Sequence, residues 1–293
     1  MYNRPFHTQQ TVEALQKNEL AEDSDLFVFS DAAKTLEAVM AVKEVRRYLN
    51  HIHGFKSVTI IERDRNLGLA NSIINGVTRL CNEYGRVIVL EDDLITSPYF
   101  LGFMNDSLNL YEHDEMVISV HGYIYPVAEK LPETFFLRGA DCWGWATWKR
   151  GWNLFETDGM KLLEALKKSD SEKEFNFGGS YDYLGMLHAQ VKGMNDSWAI
   201  RWYASAFLDN RLTLYPGESM VLNIGNDNSG THCVATDIFS GDIVARPVVV
   251  GGIPIEDNIE ARSAVIKYFY ANKRSMLQKV MQRTGDFGKR LLQ

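Results

Sequence analysis

The sequence predicts an α/β fold in which a mostly parallel, Rossmann-type sheet is flanked by helices and followed by a lobe of mixed structure. Short runs rich in β-branched and aromatic residues lie at residues 26–29, 58–61 and 87–90. Their spacing of roughly 30 residues is that of a βαβ unit. Continuous apolar runs that alternate with helical patterns are typical of a parallel sheet covered on both faces.

The intervals between these runs predict two helices. In the first interval, apolar residues from Leu36 to Ile52 fall near a 3.6-residue period, and Gly54 is placed as a C-terminal cap. In the second interval, residues 69–81 have the same period and Gly85 closes the helix. Each predicted strand is thus followed by one helix.

Beyond Pro98 the pattern becomes mixed. It predicts a helix over residues 99–111 and a strand over 116–120. A stretch rich in Gly and Trp follows, then a mostly helical part to residue 210, and then short β-type pieces over 211–215, 219–224 and 242–250. No internal repeat or Pro/Ser-rich linker interrupts the chain. We therefore expect one domain over residues 1–260, with a first half at 1–97 and a second half at 98–260, and a basic helical tail over 261–293.

Composition excludes several classes of protein. Hydrophobic residues make up 45% of the 293 and charged residues 24%, which is typical of a globular chain. A formal net charge of −7 argues against a general nucleic-acid binder, which needs a basic surface. The three cysteines lie far apart and show no zinc-ligand spacing, and no apolar run approaches the roughly 18 residues of a membrane span. These features predict a cytoplasmic protein.

Polar residues at the strand ends are the first candidates for a site, because ligands of open α/β sheets bind beyond the carboxyl ends of the strands. The most specific signal is Glu91-Asp92-Asp93, directly after the third run. Three adjacent carboxylates repel one another, and a divalent cation such as Mg²⁺ would offset the repulsion. The alternative is a solvated acidic turn that caps the next helix.

Four further features each allow a structural or a functional interpretation. Gly68 precedes a helix whose N-terminal N–H groups could bind phosphate, or it is an ordinary helix start. The six tryptophans between Trp143 and Trp202 include pairs at i,i+4 spacing. We expect at least three of them to pack in the core, although aromatic faces also suit sugar rings.

Asp196 is a helix N-cap or a catalytic base, and His232 is an exposed residue or a metal or phosphate contact.

Together these residues resemble GT-A-fold glycosyltransferases. The resemblance covers roughly residues 2–235. Within this range the sequence is similar to bacterial sugar transferases of polysaccharide assembly and to the inverting N-acetylglucosaminyltransferase I type enzymes. The latter use a Glu-Asp-Asp version of the DXD motif. The matching segments are Tyr2-Asn3-Arg4-Pro5, Phe29-Ser30-Asp31, Arg65-Asn66-Leu67-Gly68-Leu69, Glu91-Asp92-Asp93 and Gly144-Trp145-Ala146-Thr147-Trp148.

The resemblance implies roles for individual residues. Asp31 would read the edge of uracil, Asp92 would hold the ribose, and Glu91 would lie near the donor sugar. Asp93 would ligate a Mn²⁺ or Mg²⁺ ion that bridges the diphosphate, with His232 as a later metal or phosphate contact. The remaining expected donor-binding residues are Arg4, Asn66, Gly68 and Trp145.

The expected function is metal-dependent, inverting transfer of a hexosyl or N-acetylhexosaminyl group from a nucleotide sugar, a UDP-sugar by resemblance, to a glycan or lipid-linked glycan acceptor. The domain would then have a nucleotide half (1–97) and an acceptor half (98–260), with Asp196 as the catalytic base. No second carboxylate is placed as a nucleophile, which disfavours a double displacement.

Two other functions stay open. A nucleotidyltransferase would share the metal carboxylates, but it normally carries a basic Gly-rich loop that this sequence lacks. A catalytically impaired sugar- or nucleotide-binding scaffold is the second alternative, because family members usually have an apolar strand where Met1 stands here.

The tail predicts a basic amphipathic helix. From Arg262 to Gln293 it has eight Lys/Arg and one Asp/Glu. Such a helix can lie peripherally on the cytoplasmic membrane face or pack on the domain. The predicted apolar stripe consists of Val265, Phe269, Met276, Leu277, Val280 and Met281.

Overall fold

The computed structural model of the chain describes residues 1–227 and 238–273. In chain order, its first part contains α1 (Pro5–Gln16), β1 (Asp25–Ser30), α2 (Val39–Leu49), β2 (Ser57–Glu62), α3 (Leu69–Tyr84), β3 (Arg86–Val89) and β4 (Leu94–Thr96). Its middle part contains α4 (Phe100–Leu110), β5 (Val117–His121), β6 (Thr134–Arg138), β7 (Trp145–Trp148), α5 (Lys149–Trp152), α6 (Gly159–Lys168) and α7 (Glu172–Phe175). The last part contains α8 (Tyr183–Val191), α9 (Trp198–Leu208), β8 (Leu212–Pro216), β9 (Val221–Asn223) and α10 (Ile259–Ala271).

The α/β class is confirmed, and so are most of the predicted elements. The three apolar runs form β1, β2 and β3, and Gly85 ends α3 with φ 79° in the left-handed region. Two details were wrong. Helix α2 ends at Leu49 and is followed by Asn50 in a right-handed conformation, so Gly54 is not its cap. Residues 242–250 form no strand.

The prediction of a mostly parallel sheet was wrong. The strands form a parallel pair (β1–β2), a five-stranded sheet in the order β3-β7-β5-β8-β6, and an antiparallel pair (β4–β9). In the five-stranded sheet only β5 and β8 are parallel neighbours. The spacing of strands along the sequence indicates parallel strands if consecutive strands join the same sheet. It does not determine whether a strand pairs with the preceding strand or with one far along the chain. Strand β3 pairs with the aromatic β7, far along the chain, and not with β2.

The backbone of Met1 lies beside the end of β1. Its N–H group donates to Phe29 O at 2.8 Å, and its carbonyl accepts from Asp31 N–H at 3.1 Å. Helix α1 then begins at Pro5, where proline is well tolerated because its missing N–H would have no partner in the first turn. This path positions Arg4 at the carboxyl end of β1.

The tryptophans mainly build the core, as expected for at least three of them. The ring of Trp145 lies 5.4 Å from that of Trp198 and 5.9 Å from that of Trp202. Trp148 and Trp152 are also buried, and Trp143 is the half-buried exception.

The described part of the C-terminal tail packs on the body of the protein. Val265 and Phe269 are fully buried in α10, among residues of the second half of the chain. Of the two alternatives for the tail, packing on the domain is therefore the one that holds for these two residues. The other four members of the predicted apolar stripe lie outside the described residues. Within the described ranges, no helix combines the length and apolar character that crossing a bilayer requires.

Candidate functional site

The strand register brings several loops to one edge of the five-stranded sheet. Val89 at the end of β3 pairs with Trp145 at the start of β7, and Trp145 pairs with His121 at the end of β5. Because β8 runs parallel to β5, its carboxyl end lies at this edge too. The Glu91-Asp92-Asp93 triplet, which follows β3, therefore shares this edge with the segment that precedes β7.

Arg4 holds the triplet together. Its Nη2 donates to Asp92 Oδ1 at 2.5 Å and to Asp93 Oδ2 at 2.9 Å. The three side chains are only 16%, 12% and 7% exposed, so these ion pairs are shielded from solvent. Arg4 Nη1 and Asp93 Oδ1 are buried and have no hydrogen-bond partner among the described residues.

The carboxyl groups of the triplet differ in their tendency to ionise. Burial raises the pKa of Glu91 to about 8, and repulsion from Asp93 and Asp92 contributes. Burial also raises the pKa of Asp93, against the attraction of Arg4. Burial would raise the pKa of Asp92 as well, but the Met1 ammonium and Arg4 outweigh it and lower that pKa. Near neutral pH the triplet therefore holds a proton, mainly on Glu91.

The segment after β9 lies against the triplet. Strand β9 pairs with β4, the strand that follows the triplet, and Ile224 N–H donates to Asp93 O at 2.8 Å. A Cβ atom at Gly225 would lie 2.1 Å from Asp93 Oδ2 and 2.9 Å from Arg4 Nη1. Only glycine leaves the two charged groups where they are. Just beyond, His7 Nε2 lies 3.1 Å from Asp227 Oδ2.

Asp31 fixes the loop before α3. Its Oδ2 accepts the N–H groups of Leu67 at 2.9 Å and Gly68 at 3.0 Å. Asn66 supports the same loop, since its amide donates to Ala32 O at 2.8 Å and accepts from Gly68 N–H at 3.1 Å. Asp31 Oδ1 is buried and has no partner in the described part of the chain. Asp31 therefore has one oxygen in the loop and one that could accept a hydrogen bond from a ligand.

The residues at the triplet fit a hard divalent cation in part. Carboxylate oxygens are the ligands that Mg²⁺ and Mn²⁺ prefer, and Asp93 Oδ1 is a buried oxygen that lacks a partner among the described residues. Within residues 1–227 and 238–273, no group of three His, Cys, Asp or Glu side chains is arranged to hold a metal. The fit thus depends on one or two carboxylates, which is usual for Mg²⁺ bound with substrate phosphates.

Three of the predicted site residues do not join this cluster in the described structure. Asp196 is 65% exposed at the entrance of α9, lies 3.6 Å from Arg201 and is not the cap. The cap is Ser197, whose hydroxyl accepts from Ile200 N–H at 3.2 Å. Trp145 has no exposed surface, so we do not include it among the ligand contacts proposed below. His232 lies outside the described residues.

Of the residues that line the edge beside the triplet, sequence patterns indicated only Trp143, as one of the six tryptophans. His121, fully buried at the end of β5, accepts the N–H of Trp143 through Nε2 at 2.9 Å. Burial lowers the pKa of His121, which suits a neutral acceptor. Asp141, Cys142 and Trp143 are half-buried here. Their Gly- and Trp-rich stretch has no periodicity that could have identified them.

An aromatic path leads away from the triplet along the same edge. The Trp143 ring lies 4.8 Å from Tyr123, whose ring lies 5.3 Å from Tyr125. Tyr125 lines a cavity of about 810 Å³ beyond the ends of β5 and β8, a size within the range of small-molecule sites. Arg246 lies in its wall and pairs with Glu133 and Glu218.

Comparison with models of known protein families gives no match to this chain, and comparison with curated proteins gives none either.

Proposed function

We propose that this protein is a metal-dependent, inverting glycosyltransferase with a GT-A-like nucleotide half, which moves a sugar from a UDP-sugar to a glycan or lipid-linked glycan. One observation carries the proposal. Asp92 and Asp93, which follow β3, share a single arginine, and one of their oxygens, Asp93 Oδ1, is buried without a partner among the described residues. A buried carboxylate oxygen left in this state is costly unless a ligand or ion satisfies it.

The donor would lie along the edge that runs from the triplet to the Asp31 loop. Asp93 would hold Mn²⁺ or Mg²⁺, which when bound neutralises the charge that develops on the leaving diphosphate. Asp31 Oδ1 is suited to accept the imide N–H of uracil. Asp31 already accepts the N–H groups of Leu67 and Gly68, so an anion at the N-terminus of α3 would meet the N–H groups of the helical turn that follows Gly68.

Glu91 and Arg4 would act directly on the donor. Burial raises the pKa of Glu91 to about 8 in the protein without metal, so near neutral pH this side chain is suited to donate a hydrogen bond to a sugar hydroxyl. Arg4 Nη1, which is buried without a described partner, can donate to a phosphate oxygen. Neither residue needs to leave the triplet for these contacts.

Calorimetry with UDP, with and without Mn²⁺, tests the donor site. We expect binding that requires Mn²⁺ and that is lost in Asp93→Ala with little change in stability, because the substitution removes both a ligand and a repelling charge. Asp106→Ala, at an exposed position of α4, is the matched control. Metal-independent UDP binding, or equal binding by both variants, would contradict the assignment of Asp93.

A donor and acceptor panel tests the reaction. UDP-glucose, UDP-galactose and UDP-N-acetylglucosamine are each incubated with glycoside acceptors, and release of UDP is followed. A nucleotidyltransferase would instead bind UTP in preference to UDP and release pyrophosphate. A binding scaffold would bind UDP with Mn²⁺ but release nothing from any donor.

A further inference from the structure

The segment that joins β6 to β7 brings Asp141 and Trp143 to the triplet. The last residues paired across β3 and β7 are Val89 and Trp145. Trp143 and Glu91 each lie two residues beyond that pair, on the two chain segments that the pair joins. The two segments stay close beyond this pair, because a Cβ atom added at Gly144 would lie 3.5 Å from Leu90 Cδ2.

Hydrogen bonds hold this segment in place. The carbonyl of Gly139 accepts the Thr213 hydroxyl at 2.7 Å, and His121 Nε2 accepts Trp143 N–H at 2.9 Å. Asp141 Oδ1 accepts Cys142 N–H at 2.9 Å. A half-buried carboxylate is thereby fixed at the site edge, and among the described residues it forms no ion pair.

The surroundings of Asp141 are aromatic hydroxyl groups. Burial raises the pKa of Tyr183 and of Tyr215, and in both cases the Asp141 charge is the next largest cause. The tyrosines therefore keep their protons and cannot themselves serve as bases. Burial and then Asp141, Glu91 and Asp93 raise the pKa of the Cys142 thiol. The Cys142 thiol is thus subject to the charges of both Asp141 and the triplet.

Asp141 is half-buried and, among the described residues, has no cation as a partner. Asp196 differs from it in each respect, since its side chain is 65% exposed and lies 3.6 Å from Arg201. Exposed and paired, Asp196 gains nothing from exclusion of water. Asp141 also lies two residues from Trp143, the half-buried tryptophan of this edge.

We propose that Asp141, and not Asp196, is the general base of the transfer, and that Trp143 carries the ring of the acceptor sugar. The inference rests on the proposed function. The proton of the acceptor hydroxyl moves to the Asp141 carboxylate while the acceptor oxygen forms a bond to C1 of the donor sugar. The bond between C1 and the diphosphate oxygen breaks, and its electron pair leaves with UDP.

The test uses the full chain and the donor and glycoside pair that the wild type turns over fastest. Asp141→Asn keeps an oxygen for Cys142 N–H but cannot accept the proton. We expect kcat to fall by about 10²–10⁴-fold, with UDP binding in Mn²⁺ and the melting temperature unchanged. Asp106→Asn controls for loss of an exposed carboxylate. Asp196→Asn is assayed in parallel, and we expect its loss to be much smaller than that of Asp141→Asn.

Each outcome decides between the alternatives. Near-normal turnover in Asp141→Asn, or a larger loss in Asp196→Asn, would overturn the assignment of Asp141. If Asp141→Asn melts early, Asp141→Ala is assayed with added formate. Restored turnover supports the base, since formate replaces a missing carboxylate but does not repair packing, whereas loss that formate does not restore overturns it. If the wild type transfers sugar with none of the donor and glycoside pairs, the proposed function is overturned as well.

Trp143→Ala tests the acceptor half independently. We expect KM for the glycoside to rise at least about tenfold, the equivalent of 1.4 kcal/mol, while UDP binding stays at the wild-type level. An unchanged KM would remove Trp143 from the acceptor site.

Discussion

Replacing Arg4 by methionine tests whether the triplet is held by a buried ion pair. Arg4 contacts Asp92 at 2.5 Å and Asp93 at 2.9 Å, and none of the three side chains is more than 16% exposed. Removing one partner of a buried pair typically costs about 3–5 kcal/mol, because the remaining charge keeps no partner. Here two adjacent carboxylates lose their shared cation. We expect Arg4→Met to lower the free energy of unfolding by about this amount at pH 8.

The assay is denaturant unfolding in EDTA at pH 8 and at pH 5. Lys161→Met is the matched control, since Lys161 pairs with Glu156 at 3.4 Å on the surface, where its side chain is 67% exposed. Such a pair is worth at most about 1 kcal/mol. At pH 5 the substitution Arg4→Met should lower the free energy of unfolding by less than at pH 8. The reason is that Glu91 and Asp93, whose pKa values are raised, take up protons as the pH falls, so the carboxyl groups of the triplet repel one another less.

Mn²⁺ provides the decisive comparison. If the metal replaces the missing cation, it should raise the melting temperature of Arg4→Met more than that of the wild type. Equal losses in Arg4→Met and Lys161→Met would refute the idea that the triplet depends on Arg4. An equal effect of Mn²⁺ on wild type and Arg4→Met would refute a metal site at these carboxylates.

Three further variants test the same edge. The pKa of Glu91 is raised in the folded protein to about 8, so its contribution to stability is complete below the unfolded pKa of 4.5 and is lost as pH rises to 8. Glu91→Gln in EDTA should therefore remove up to about 4 kcal/mol of that pH dependence, as measured by unfolding at pH 5 and 9. Gly225→Ala places a Cβ 2.1 Å from Asp93 Oδ2, whereas the added Cβ of the control Gly102→Ala meets open space. Calorimetry should show Mn²⁺-dependent UDP binding weakened about tenfold in Gly225→Ala and unchanged in Gly102→Ala. Asp31→Asn should reduce the preference for UDP over ADP, and an unchanged preference in competition assays would exclude Asp31 from base recognition.

Local pattern predicted the elements of this fold well because periodicity reflects burial along one segment. Strands β1, β2 and β3 and helix α3 lie where apolar spacing indicated, and Gly85 ends α3 as its conformational freedom allows. The pairing of β3 with β7 depends on contacts between residues almost 60 positions apart, such as Val89 and Trp145. No periodicity within either segment contains that information.

The site was predictable to the same extent. Glu91-Asp92-Asp93 could be identified because adjacent carboxylates after a buried strand are unusual in themselves. The contact of Arg4 with two of them, 88 and 89 residues away, arises only when the chain folds back along β1. At α9 the error was one residue, since Asp196 and Ser197 are both good caps and only geometry selects the serine. Asp141 had no signal, because its position results from a segment that crosses between two strands.

The charges at the triplet favour binding of metal and donor together. With Glu91 protonated, the charges of Asp92 and Asp93 are balanced by Arg4 and the Met1 ammonium. A divalent cation alone would turn this into a net positive charge beside Arg4, while a nucleotide sugar alone would add two negative charges to it. Bound together, the two ligands leave the net charge as it was. The net charge of the cluster therefore disfavours either ligand alone and tolerates the pair, which couples metal affinity to donor affinity.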